Sequence, residues 1–246
     1  VDMHEMFGQA SVFNQSLNEW NVSQVLCMNS MFRHAPAFNQ PLDEWNVSDV
    51  FRMDNMFSWA SVFNQTLNKW DVSRAKTMDR MFGHASVFNQ PLDQWNVAQV
   101  KNIFRMISWA TAFNQLLNKW DVSQVSAMGK MFEFASSLNE LRLYSIGHID
   151  QMFSFSHADQ MLYFASALNQ CLTSWESFVS AHWVNVGGTF SESGCESESV
   201  SFGIWCNSDC PSMSECTNDG SSRLNGKQNR DCNWAAVKNR GKRCYR

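Results

Sequence analysis

Apolar and polar residues recur along this chain at a fixed phase. The stretch "FNQPLDEWNVSDV" at 38–50 returns as "FNQSLNEWNVSQV", "FNQTLNKWDVSRA", "FNQPLDQWNVAQV" and "FNQLLNKWDVSQV". Trp20, Trp45, Trp70, Trp95 and Trp120 are evenly spaced, and the same interval separates Phe13, Phe38, Phe63, Phe88 and Phe113, and again Ala10, Ala35, Ala60, Ala85, Ala110 and Ala135. A strict period of this length marks a repeat architecture, in which one unit cannot bury its apolar side alone and the core is made by stacking neighbours.

Two shorter periodicities alternate inside each unit. Met28, Met31, Phe32 and Ala35 fall at i, i+3, i+4 and i+7, the spacing of one helical face, and Pro36 stands where a short helix would already be ending. "EWNVS" alternates with period 2, which predicts a strand with Trp20 and Val22 inward and Glu19, Asn21 and Ser23 outward. The expected fold is therefore an α/β solenoid, a leucine-rich-repeat-like stack of short parallel strands and short helices. Cys27 and its equivalents Arg52, Thr77, Asn102 and Ala127 form a variable set, read as a solvent-facing place on the helix.

The recurrent polar and aromatic residues have structural work in such a stack. An indole per turn fills space between strand and helix, and its N–H requires a carbonyl. Asn14, Asn39, Asn64, Asn89 and Asn114 are expected to be buried as a ladder whose amides donate and accept along the stack. Gln15 and its equivalents belong to the same turn, with the direction of their side chains left open.

Composition changes the picture only near the end. Hydrophobic residues make up 44% and charged residues 17%, ordinary for a chain that buries a core, and the net charge of -4 gives no general preference for nucleic acid or an anionic membrane. No apolar run approaches the ~20 residues of a membrane helix. Seven of the eight cysteines, Cys171, Cys195, Cys206, Cys210, Cys216, Cys232 and Cys244, crowd toward the end of the chain among Ser- and Gly-rich segments. This divides the chain into a repeat region, 1–175, and a small disulfide-rich C-terminal cap, 176–246, in an oxidising compartment. The alternative for the cap is zinc at the C-x3-C pair Cys206 and Cys210, but no second Cys or His pair follows at matching spacing. Cys27, about six turns and on the order of 29 Å from the cap, is expected to stay outside its disulfide network.

The pattern M-F-x-x-A-x-x-F-N-Q-x-L-x-x-W-[ND]-V-S-x-V-x-x-M resembles the BspA-like leucine-rich-repeat family of bacterial surfaces and of secreted proteins of protists and microalgae. Five near-complete copies carry the resemblance, which runs to about residue 175. It implies a curved solenoid used for adhesion and protein recognition, with no general catalytic residues. The sixth copy departs from it, with Ser145 where Trp is due, and the unit after Met131 to Ala135 arrives late, at Met161 to Ala165. "FSFSHA" at 153–158 reads as an insertion, after which the register resumes at Trp175. "CNWAAVKNRGKRC" weakly resembles a tail module of secreted microalgal proteins.

The chain carries no G-x-S-x-G, Walker loop, H-E-x-x-H or dinucleotide fingerprint. His34 and His84 share a repeat position two turns apart, roughly 10 Å, too far to share a metal ion. No catalytic residue, metal or cofactor is expected. Two surfaces stand out instead. The first is the solvent side of the expected strands: Glu19, Asn21, Gln24, Glu44, Asn46, Asp49, Lys69, Asp71, Arg74, Gln94, Asn96, Gln99, Lys119, Asp121 and Gln124. The second follows a hidden two-unit period, which puts His34, Trp59, His84 and Trp109 at one position on the flank of the expected helices. Of the N-x-[ST] matches Asn14, Asn21, Asn46 and Asn64, only Asn21 and Asn46 are expected to accept a glycan, the other two being ladder residues. The function expected is a non-catalytic extracellular or cell-surface recognition and adhesion module for a protein or glycan partner. The alternative is a structural subunit of an extracellular fibre or sheath, with self-association. No nucleic-acid partner and no membrane insertion are expected.

Overall fold

Each unit of the repeat is built as a run of tight turns. The structure is a computed structural model that describes residues 1–117, 119–139 and 161–168, and among these there is no helix and no extended strand. In the second unit the Met31 N–H donates to the Met28 carbonyl at 3.2 Å and the Ala35 N–H to the Phe32 carbonyl at 3.1 Å, closing two consecutive four-residue turns, 28–31 and 32–35. The third residue of each turn, Ser30 and His34, has φ of 59° and 55°. A type II turn requires such a positive φ, and a continuous helix forbids it.

This corrects the expected helix and explains the signal that suggested it. A four-residue turn points its first and last residues to the same side. Two such turns in succession therefore bury positions 1, 4, 5 and 8, which is the i, i+3, i+4, i+7 spacing of a helical face. Met28, Met31, Phe32 and Ala35 are all fully buried in this way. The same doubling imitates a strand at 42–50. The Trp45 N–H donates to the Leu42 carbonyl at 3.2 Å and the Val50 N–H to the Val47 carbonyl at 2.9 Å, so Leu42, Trp45, Val47 and Val50 point inward from two turns.

Neighbouring units are bonded side by side in parallel. The N–H groups at positions 28, 30, 32 and 34 donate to the carbonyls of Arg52, Asp54, Met56 and Ser58 in the next unit at 2.7–2.9 Å. The Met31 and Arg33 N–H groups between them close turns within the unit, on Met28 and Ser30, so donors along the stack alternate with donors around it. Isolated parallel bridges join Asp2, Cys27, Arg52, Thr77, Asn102 and Ala127 in one row. Cys27 therefore lies, partly buried, in the pairing row itself and not on a helix. Residues 161–168 carry the same bonding: the Phe132 N–H donates to the Met161 carbonyl at 2.9 Å and the Phe134 N–H to the Tyr163 carbonyl at 2.8 Å, across a longer stretch of chain than between earlier units.

The core is a set of ladders. Phe32, Phe57 and Phe82 stack at centroid spacings of 5.6 Å, and Trp45, Trp70 and Trp95 at 6.4 Å. Each buried indole donates to a leucine carbonyl of the preceding unit, Trp45 to Leu17, Trp70 to Leu42, Trp95 to Leu67 and Trp120 to Leu92, at 2.8–2.9 Å. Trp20, in the first unit, is 41% exposed, so the expectation of a buried indole fails there alone. The Asn ladder is partly buried rather than enclosed. Oδ1 of Asn39 accepts the Asn64 backbone N–H at 2.9 Å and Oδ1 of Asn64 that of Asn89 at 2.9 Å. The glutamines join it: Nε2 of Gln65 and Gln115 donate to Oδ1 of Asn39 and Asn89 at 3.0 and 2.9 Å.

Candidate functional site

The two expected surfaces differ in what their residues already do. Along the ribbon Glu19, Gln24, Glu44, Lys69, Arg74, Gln94, Gln99, Lys119 and Gln124 are exposed and Asp49 is partly so. Asn21, Asn46, Asp71, Asn96 and Asp121 are exposed as well, yet each Oδ1 accepts the second following backbone N–H at 3.0–3.2 Å. These five close Asx turns, a local structural duty that the recurrent [ND]-V-[SA] signalled and the strand reading overlooked. The three cations of the ribbon pair with carboxylates of the preceding unit, inside and outside the expected set: Lys69 with Asp43 and Glu44 at 3.1 and 3.0 Å, Arg74 with Asp49 at 2.6 Å, Lys119 with Asp93 at 2.9 Å. The Lys69 bond holds the Asp43 carboxyl below the usual aspartate range.

The second surface is a single continuous row of rings. His34, Trp59, His84 and Trp109 occupy the positive-φ position of the second turn in each unit, with φ of 55–64°. Gly and Asn are the residues such a backbone prefers, so its geometry does not call for an aromatic side chain. Their rings stack on one another nonetheless: His34 on Trp59 at 5.3 Å, Trp59 on His84 at 3.8 Å, His84 on Trp109 at 5.4 Å. Phe134 and Phe164 extend the row at 4.0 and 4.7 Å, an extension visible in the sequence once the phase is carried past Trp109. Trp59 and Trp109 remain 45% and 40% exposed.

Beside this row runs a groove of about 390 Å³, lined by Arg33, Asn55, Ser58, Trp59, Arg80, Gly83, His84, Arg105, Ser108, Trp109, Glu133 and Phe134. Arg80 and Arg105 hold the positive-φ place of the first turn in their units, and both guanidinium groups lie over the Phe104 ring at 5.2 and 5.4 Å. Glu133 is buried, with Oε2 3.4 Å from Nε of Arg105 and accepting the Ser108 hydroxyl at 3.3 Å, and Oε1 3.4 Å from Nζ of Lys130. Loss of hydration on burial lowers the pKa of His84, helped by Arg105, and does the same to His34, helped by Arg33. Both shifts favour the neutral imidazole. The expectation of a flank site named the four rings; it missed Arg80, Arg105, Glu133 and the buried Ser58 and Ser108, which come from two repeat positions, neither of which keeps one residue type through all units.

Among the described residues no group of His, Cys, Asp and Glu is placed to hold a metal ion, and no helix is long and apolar enough to cross a membrane. Asn21 and Asn46 are exposed, and Asn14, in the first unit, is exposed too. The expected disulfide cysteines Cys171, Cys195, Cys206, Cys210, Cys216, Cys232 and Cys244, the boundary at 175 and 176, and the 153–158 insertion all lie outside the described residues.

A family model described as "Mycoplasma protein of unknown function, DUF285" matches residues 1–90, 42–145 and 105–199. No curated protein and no solved structure matches the chain. The three overlapping matches run without a gap from position 1 to position 199 of 246, each covering several repeat units, and the chain accordingly belongs to the DUF285 repeat family.

Proposed function

We propose that this chain is a solenoid-type recognition module, acting without catalysis at a cell surface or outside the cell, and that it takes a protein or glycan partner along the ring row. The observation that carries the reading is the row itself. His34, Trp59, His84, Trp109 and Phe134 line up partly exposed, at a backbone position better suited to glycine, beside an arginine-lined groove. A fold that needed only to close its turns has no use for exposed indoles there. The resemblance to BspA-like surface proteins and the density of cysteines near the end of the chain support an extracellular setting.

A specific feature favours a second reading, a structural subunit of a surface fibre or sheath. Val12, Val62 and Val87 are exposed at one repeat position shortly after the ring row, widening the apolar strip. Negative-stain imaging of native material separates the two: discrete particles support recognition, ordered polymers support assembly. Protein and glycan arrays probed with the wild type and a Trp59→Gly/Trp109→Gly variant then test the row. Partners retained by wild type and lost by the variant are expected; partners held equally by both place recognition elsewhere.

A further inference from the structure

The groove beside the ring row is unbalanced in its hydrogen-bonding chemistry. Three of its lining side chains, Arg33, Arg80 and Arg105, are cations, against one lining carboxylate, Glu133, while Asp79, outside the lining, pairs with Arg80 at 2.9 Å. That carboxylate is buried and already engaged by Ser108, Arg105 and Lys130. Arg33 is exposed and forms no ion pair among the described residues. Nε of Arg105 is buried and, although 3.4 Å from Glu133, lacks an aligned hydrogen-bond acceptor. Ser58, 2% exposed, also lines the groove.

The rings add to the same bias. Their faces are covered by one another, at 3.8 Å between Trp59 and His84 and 4.0 Å between Trp109 and Phe134, so a ligand meets edges. Aromatic edges carry the positive side of the ring quadrupole, and an indole N–H only donates. A saccharide laid flat on a ring face is thus excluded for the interior of the row. What the groove lacks is negative charge: its lining holds three cations and one carboxylate, and Arg33 has no ion-pair partner among the described residues.

We infer that the groove binds the anionic groups, sulfate or carboxylate, of a linear acidic polysaccharide, an assignment that rests on the recognition reading above. An acidic peptide fits less well. Each of its residues brings a backbone N–H that must find an acceptor, and the groove's one lining carboxylate is already engaged. Saccharide hydroxyls both donate and accept, and turn to suit.

The test uses the full chain, with the indole N–H resonances of Trp59 and Trp109 followed by NMR during titration and affinities measured in parallel by calorimetry. The probes are a sulfated galactan, a polyuronate, neutral dextran, poly-glutamate and sodium sulfate. Both acidic polysaccharides are expected to shift the two indoles, with affinity falling steeply as salt rises. The Arg33→Gln/Arg80→Gln variant, with its melting transition checked against wild type, is expected to bind them about tenfold or more weakly. Dextran binding as tightly as the charged polymers overturns the inference, as does poly-glutamate binding more tightly than either. Saturation by sulfate alone at the same anion concentration shows a simple anion site and overturns the polysaccharide assignment. Acidic polysaccharide bound with unmoved Trp59 and Trp109 resonances overturns the groove while leaving recognition standing. Ordered polymers with no binding to any probe overturn the recognition reading itself.

Discussion

The indole N–H of Trp70 donates to the carbonyl of Leu42 at 2.8 Å, and this bond ties the third unit to the second through the core. Trp70 is 3% exposed and stacks between Trp45 and Trp95. Trp70→Ala removes both the ring volume and the donor and is expected to cost about 3–5 kcal/mol. Trp70→Phe refills most of the space and leaves the Leu42 carbonyl unpaired, costing about 1–3 kcal/mol. Chemical denaturation of the two variants checks the order. Coupling in a stack is to nearest neighbours, so hydrogen exchange in the alanine variant should rise first around Leu42 and Trp95.

Asn64 offers a second, chemical check on the ladders. Its Oδ1 accepts both the Asn89 N–H at 2.9 Å and Nε2 of Gln90 at 3.0 Å, and its own N–H donates to Asn39. Asn64→Ala strands two donors at once, for an expected loss of about 2–3 kcal/mol. When the chain is passed through a glycosylating secretory route, mass spectrometry should find sugar at Asn21 and Asn46, and also at Asn14, which is exposed and not buried as its ladder position suggested, and none at Asn64. Sugar at Asn64 means that the ladder opens in solution.

The inward residues were legible and the backbone was not. Met28, Met31, Phe32, Ala35, Trp45 and Val47 all point where their periodicity placed them. Burial follows side-chain spacing, and two successive type II turns share that spacing with a helix. The feature that distinguishes them is a positive φ at Ser30 and His34, which glycine would have announced and serine and histidine conceal. The ring row was legible through its two-unit alternation. The groove was not, because Ser58, Arg80, Arg105 and Glu133 come from two repeat positions, one reading Ser30, Asn55, Arg80, Arg105, Lys130 and the other Arg33, Ser58, Gly83, Ser108, Glu133, neither of them constant along the chain. Only the parallel side-by-side bonding brings them together.

Cys27 supplies a test of the parallel row. It lies between Asp2 and Arg52 in the bridge row, partly buried, with its carbonyl accepting the Met3 N–H at 2.9 Å. Its thiol is free in the structure. Alkylation of native protein should proceed at Cys27 more slowly than in denaturant, since the folded row shields it. Non-reducing peptide maps should show no peptide joining Cys27 to Cys171, Cys195, Cys206, Cys210, Cys216, Cys232 or Cys244 of the same chain. Such a bridge would demand that the tail run back along the stack.

Asp79 makes stability depend on pH in an unusual direction. Burial pushes its carboxyl above the ordinary aspartate value of 3.8, and neighbouring Asp54 adds to this while Arg80 and Arg105 oppose it. The folded state therefore holds the proton more tightly than the unfolded one. Stability from this group is fully present below the ordinary value and is lost as pH rises through the raised one. Asp79→Asn keeps an oxygen for the Arg80 guanidinium, 2.9 Å away, and removes the charge. The variant should match wild type near pH 3 and exceed it near pH 7 by on the order of 1 kcal/mol, read as melting temperature against pH. A variant less stable than wild type at pH 7 shows that the Arg80 ion pair outweighs burial.

Trp109 separates what the fold needs from what the surface does. Its backbone sits at φ 60°, its ring stacks on Phe134 at 4.0 Å and His84 at 5.4 Å, and it is 40% exposed. Trp109→Gly forfeits stacking of about 0.5–1.5 kcal/mol per pair and recovers about 1–2 kcal/mol of left-handed backbone strain. The two nearly cancel, so the glycine variant should unfold within about 1 kcal/mol of wild type in urea while losing partner binding. Trp109→Val loses the ring and keeps the strain in a β-branched residue, and should fall about 1–2 kcal/mol below the glycine variant. A glycine variant that loses more than about 3 kcal/mol would identify the ring as core material. In that case the row exists to hold the stack together, and the recognition role assigned to it fails. A glycine variant that stays folded and stops binding ties the positive-φ row directly to the partner.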